Sequence, residues 1–148
     1  SSDVCSSDLR LIEMAFGVYE GVTANSGPGG TLNQNLVDFI CHAERYQAPE
    51  GGETFQELSK RMADYLFDLC HRQELADKTI LLASHGGAIT ALLNAIDPPE
   101  GFFWRGGVPY NCSYAIIDVG TDGVPVLVAE NQICYPLEQA QGNFPRLD

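Results

Sequence analysis

Apolar residues recur at helical spacing in two stretches near the middle of the chain. Leu32, Leu36, Phe39, Ile40 and Ala43 predict an amphipathic helix over 31–46, and Thr31 with Gln34 predicts a capping box at its start. The segment "QAPEGG" breaks the pattern. Thr54 and Glu57 form a second capping box, followed by the stripe Phe55, Leu58, Met62, Tyr65, Leu66 and Leu69 of a longer helix. The pattern then changes. "KTILLAS" (78–84) is a nearly continuous apolar run, which suits a strand buried on both faces of a parallel sheet. "GGAITALLNAI" (86–96) predicts a helix stopped by Asp97-Pro98-Pro99. "SYAIIDV" (113–119) and "VPVLVAEN" (124–131) are β-rich and flank "GTDG". They read either as a hairpin or as two strands placed apart in one sheet. "VTANSGPGG" (22–30) is a loop, and residues 1–9 show no periodicity. Helices alternating with buried strands predict a layered α/β domain.

Composition narrows the function. The 148 residues suffice for one domain, and 45% are apolar. No apolar run approaches the length of a membrane helix, so no membrane partner is expected. With 20 acidic and 8 basic residues the net charge is −12, which argues against nucleic acid as a partner. It also argues against an anionic substrate unless positive groups are concentrated at one place. The cysteines (Cys5, Cys41, Cys70, Cys112 and Cys134) are odd in number and form no CxxC pair. A reducing, cytoplasmic setting follows better than a disulfide framework. The adjacent pairs Cys41-His42 and Cys70-His71 point in different directions on a helix, and no ligand spacing links them, so neither metal nor other cofactor is expected.

Candidate chemistry gathers at "LLASHGGAIT". A predicted strand ends at Ser84, His85 and two glycines follow, and a helix begins. Ligands of α/β sheets bind beyond the carboxyl ends of strands. A helix start offers unpaired N–H groups and partial positive charge, and Gly86 and Gly87 let an oxyanion approach the backbone. An HGG phrase also occurs in oxyanion loops of α/β-hydrolases, but the chain has no GxSxG elbow. "GPGG" lacks the Lys-Ser/Thr of a P-loop. Arg61, on the helix after "GGET", reads as a structural ion-pair partner. Asn111 reads equally as a turn residue before a strand.

The phrases "LIEMAFGVYEG", "GGETFQELSKR", "LLASHGGAIT" and "PYNCSYAIID", in that order over residues 11–119, resemble the histidine phosphatase (phosphoglycerate mutase-like) superfamily. Tyr19 stands where that family usually has Trp. The resemblance implies a three-layer α/β sandwich, mostly parallel, with helices on both faces. It implies phosphomonoester hydrolysis or phosphoryl transfer through a phosphohistidine, with a small phosphorylated metabolite as partner. On this likeness His85 holds the phosphoryl oxygens, with Gly86, Gly87 and Asn111 supporting the phosphate. Glu13 protonates the leaving oxygen and later activates water. Such chemistry needs little beyond positioning and charge stabilisation, and covalent capture divides one hard step into two.

The family's nucleophilic phrase, Arg-His-Gly, does not occur in the sequence, and the other histidines, His42 and His71, have different neighbours. The first strand that would carry it is absent too. Ser7-Asp8-Leu9-Arg10 resembles the family's S-D-L-x-R phrase, yet Glu13 follows only three residues later. Residues 1–9 are therefore expected to be a non-native leader, and 10–148 the C-terminal portion of one domain. The chain by itself is then expected to be inactive. The alternative is a non-catalytic phospho-ligand-binding regulatory domain. Sheet edges left unpaired would make it prone to aggregate. Substrate and oligomeric state are not legible.

Overall fold

In a computed structural model, residues 6–23, 25, 30, 33–101 and 103–140 are described. Among them are three α-helices, α1 (Gln34–Cys41), α2 (Phe55–Cys70) and α3 (Gly86–Ile96), and two strands, β1 (Tyr114–Val119) and β2 (Pro125–Gln132).

α2 starts where its capping box predicts. The Thr54 hydroxyl accepts from the Glu57 N–H at 3.1 Å, and the Glu57 carboxylate accepts from the Thr54 N–H at 2.8 Å. Its apolar stripe faces α3. Phe55, Leu58, Met62, Tyr65 and Leu66 are buried against Ala88, Ala91, Leu92 and Leu93, with Met14 and Trp104 completing the core. The aromatic end of this core is tightly organised. Phe39 stacks on Phe55 at 5.3 Å, Trp104 meets Phe39 edge-on, and the Trp104 indole N–H donates to the Phe39 carbonyl.

α1 is shorter than its periodicity predicts. Thr31 and Leu32 lie outside the described residues. The helix is capped by Asn33, whose side chain accepts from the Asn35 N–H. It ends at Cys41 because the chain doubles back. The Asn35 side-chain amide donates to the Gln47 carbonyl and accepts from the Gln47 N–H, so 43–47 folds over the helix instead of extending it. Phe39, Ala43 and Tyr46 still pack on the core.

β1 and β2 form a hairpin, the first of the two arrangements their sequences allow. They pair antiparallel, Ile117 opposite Leu127 and Asp118 opposite Val126. Gly123 takes φ +76° in the turn, a conformation that favours glycine, and its N–H donates to the Gly120 carbonyl. The hairpin is tied to the end of α3 by Arg105, which bonds the Asp97 carboxylate and carbonyl and the Glu130 carboxylate.

The expected parallel sheet is not present among the described residues, whose one sheet is this antiparallel pair. Residues 78–85 run extended, with Leu82 and Ser84 half-buried between exposed Leu81, Ala83 and His85. The alternation of a strand persists, but no ladder partner lies beside it among the described residues, and Leu81 is 92% exposed. A strand of this composition is buried only when neighbours flank it on both sides, and β1 and β2 pair with each other instead. No helix among the described residues is long and apolar enough to cross a membrane.

Candidate active site

His85 is the last residue of the extended segment and the N-cap of α3, with φ −113° and ψ 166°. Its ring caps nothing and the residue is exposed. The first N–H groups of any helix have no partner within it. Here Glu13 supplies one. Its carboxylate accepts from the Gly87 N–H and the Ala88 N–H, both at 3.1 Å, and from the Met14 N–H at 2.9 Å. The negative charge rests where the helix dipole favours it. The approach is close: a Cβ on Gly87 would stand 2.6 Å from Glu13 Oε1, so a side chain there would push the carboxylate off the helix start. Two residues far apart in sequence, Glu13 and His85, are thus both placed at the start of α3.

Met14, 1% exposed, anchors this arrangement in the core. The residues beyond it run against 50–53, with the Glu53 N–H donating to the Ala15 carbonyl and the Val18 N–H to the Glu50 carbonyl. Gly17 allows the contact. Its φ is +52°, and a Cβ there would lie 2.2 Å from the Glu50 carbonyl oxygen.

The remaining candidates are placed differently. Gly86 faces Val108 and Pro109. Asn111 is exposed in the turn that follows, and its carbonyl accepts from the Tyr135 hydroxyl. No described hydrogen bond joins its side chain to Glu13. His42 ends α1 near Glu44, and the His71 ring stacks on Phe67 and bonds the Phe67 carbonyl. Neither is at the α3 start. Among the described residues no three His, Cys, Asp or Glu side chains converge as a metal site.

Among the described residues positive charge does not accumulate here. Arg10 pairs with Asp8 and Asp68, Arg61 with Glu53, Arg105 with Asp97 and Glu130. Arg45, Lys60 and Arg72 each pair with an acid on their own segment. Among the described cations this leaves Lys78. The anion-attracting element is the helix start itself.

Sequence reasoning missed two participants. Ala88 contributes its N–H, which no residue type announces. Ser84, next to His85, donates its hydroxyl to the Leu11 carbonyl at 2.6 Å, and its place in the "SHGG" phrase was the available signal.

A family model, the histidine phosphatase superfamily (branch 1), matches residues 4–132. The chain belongs to this superfamily. Membership places it among phosphatase- and mutase-type enzymes. The match begins at residue 4 and covers all four phrases together with both strands of the hairpin. No curated protein and no solved structure matches the chain.

Proposed function

We propose that the chain carries the phosphate-holding and proton-transferring half of a phosphohistidine-type phosphoryl-transfer site. His85 contacts the phosphoryl oxygens, Glu13 exchanges the proton of the leaving oxygen, and Gly86 and Gly87 admit the anion to the backbone N–H groups. The observation that carries this reading is the Glu13 carboxylate seated on the Gly87 and Ala88 N–H groups beside His85. Those donors accept an anion, and the carboxylate already satisfies them. An entering phosphate would displace Glu13 or share the donors with it, which brings a carboxyl group within reach of a phosphoester oxygen. Asn111 would support the loop that faces Gly86. The substrate class is a small phosphomonoester, and hydrolysis and transfer are both open to this chemistry. The three-layer sandwich of the family is the fold in which the extended 78–84 segment would be buried.

The second reading, a phospho-ligand-binding domain without turnover, is favoured by one feature. His42 and His71 lie away from the α3 start, so neither can serve as a nucleophile opposite His85. Both readings require oxyanion binding, and only the first is compatible with turnover, for which the chain would have to be completed by a nucleophile. Inorganic phosphate titrated into the full chain is expected to shift the His85 ring signals in NMR spectra. Release of p-nitrophenol from p-nitrophenyl phosphate is expected to be undetectable. Turnover that His85→Ala abolishes would sink the non-catalytic reading, and no phosphate response at His85 would sink both.

A further inference from the structure

We infer that Arg61, braced by Glu53, and Ser84 are positioning residues that deliver the Glu13 carboxylate to the first turn of α3. The inference rests on the function proposed for Glu13.

Among the described residues no strand pairs with the backbone at 10–12, so its carbonyls need donors from elsewhere. Three consecutive carbonyls receive them from side chains. Arg61 Nη1 donates to the Arg10 carbonyl at 2.5 Å and to the Ile12 carbonyl at 3.1 Å. Ser84 Oγ donates to the Leu11 carbonyl between them. Water would satisfy three carbonyls on an exposed loop equally well, but it would not fix them in space. Here the donors come from α2 and from the segment that ends in His85, so the loop is held to both.

The charge of Arg61 is already met without these bonds. Its Nε and Nη2 grip the two Glu53 oxygens at 2.9 and 2.7 Å, a bidentate geometry that orients the guanidinium plane. The side chains are only 19% and 15% exposed. Held this way, the remaining nitrogen points at the loop. Glu53 acts twice, because its own N–H donates to the Ala15 carbonyl. Glu13 is thus bracketed by pinned carbonyls at 10, 11 and 12 on one side and at 15 on the other. The Arg10 guanidinium adds a further tie to α2, bonding Asp68 and lying 5.0 Å over the Tyr65 ring. What is left to Glu13 is its own side-chain torsions. Ser84 also links the two candidate reactive groups, since one residue holds the Glu13 loop and precedes His85 directly.

The test reads the amide signals of Gly87 and Ala88 in the full chain, which report the carboxylate directly. Glu13→Ala defines the signal positions with no carboxylate there. Arg61→Met and Ser84→Ala are each expected to move both signals at least about halfway toward those positions. The Leu92 and Leu93 amides in the core half of α3 should stay in place. Arg61→Lys, which keeps the charge and a donor, should restore part of the shift. A folded Arg61→Met or Ser84→Ala variant whose Gly87 and Ala88 signals match wild type would overturn the inference. If Arg61→Met does not fold, Ser84→Ala and Arg61→Lys decide on the same signals. Inorganic phosphate added to wild type is a separate reading. Its failure to perturb His85 refutes the proposed function and leaves the amide result standing on its own.

Discussion

At the residue scale, a single carboxylate decides how the α3 start behaves. Glu13 neutralises the partial positive charge that would draw an anion, and most described cations are already paired elsewhere. Glu13→Gln removes the charge and keeps one oxygen, which can accept from the Ala88 and Met14 N–H groups and leaves the Gly87 N–H open to an anion. A charge at a helix end is worth about 0.3–1 kcal/mol, so inorganic phosphate should bind about two- to fivefold more tightly to Glu13→Gln in a calorimetric or NMR titration. Weaker binding would mean that Glu13 aids the anion instead of competing with it. Tyr46 offers a second residue-scale prediction. Its hydroxyl is buried and has no hydrogen-bond partner among the described residues, and burial first, then Tyr19 and Glu53, pushes the phenol above its ordinary pKa. Burying an unpaired polar group is costly, so Tyr46→Phe should raise the unfolding free energy by about 1 kcal/mol in urea melts. A loss of that size would reveal a partner for the hydroxyl.

At the element scale, local signals were reliable where the chain closes its own bonds. The α2 capping box spans four residues and needs no tertiary help, and both Thr54 and Glu57 were legible for that reason. The Thr54 N–H and hydroxyl hold the Glu57 carboxyl below the usual carboxylate range. A depressed carboxyl contributes stability above the unfolded value of about 4.3 and loses it as pH falls through the folded value. Wild type should therefore melt above Glu57→Gln near pH 6, and the gap should close below about pH 4. A gap independent of pH would show that the box does not work through the charge. Periodicity alone overextends α1, because it continues past Cys41 while the Asn35–Gln47 bonds turn the chain back. That pairing depends on residues twelve apart, and no local pattern carries it. The 3.6-residue periodicity of 86–96 held to its ends, since the helix stops where Asp97 precedes two prolines.

At the scale of the whole molecule, apolar surface is left over. Tyr114, Ile116, Val126 and Val128 point outward from the hairpin at 44–56% exposure, while Ala115, Ile117 and Leu127 face the core. A two-stranded sheet apolar on both faces, beside an extended segment with Leu81 exposed, is a surface for self-association. Val126→Lys with Val128→Lys should lower concentration-dependent light scattering and leave the melting midpoint nearly unchanged, because neither side chain is in the core. Unchanged scattering would place the association elsewhere. The sequence by itself determined the family through four ordered phrases, the start and apolar stripe of α2, the bounds of α3, and the pairing of His85 with a helix start. These follow from short-range bonding and from periodicity, which a linear reading contains. Only the tertiary structure decided that the β-rich segments form a hairpin, that 78–84 runs without a ladder partner among the described residues, and that Glu13 sits on the Gly87 and Ala88 N–H groups under the hold of Arg61 and Ser84. Those outcomes join residues about 50 to 75 positions apart, or turn on which edge finds a neighbour. Free energy assigns such partners across the whole fold, and a backbone N–H has no letter in the sequence.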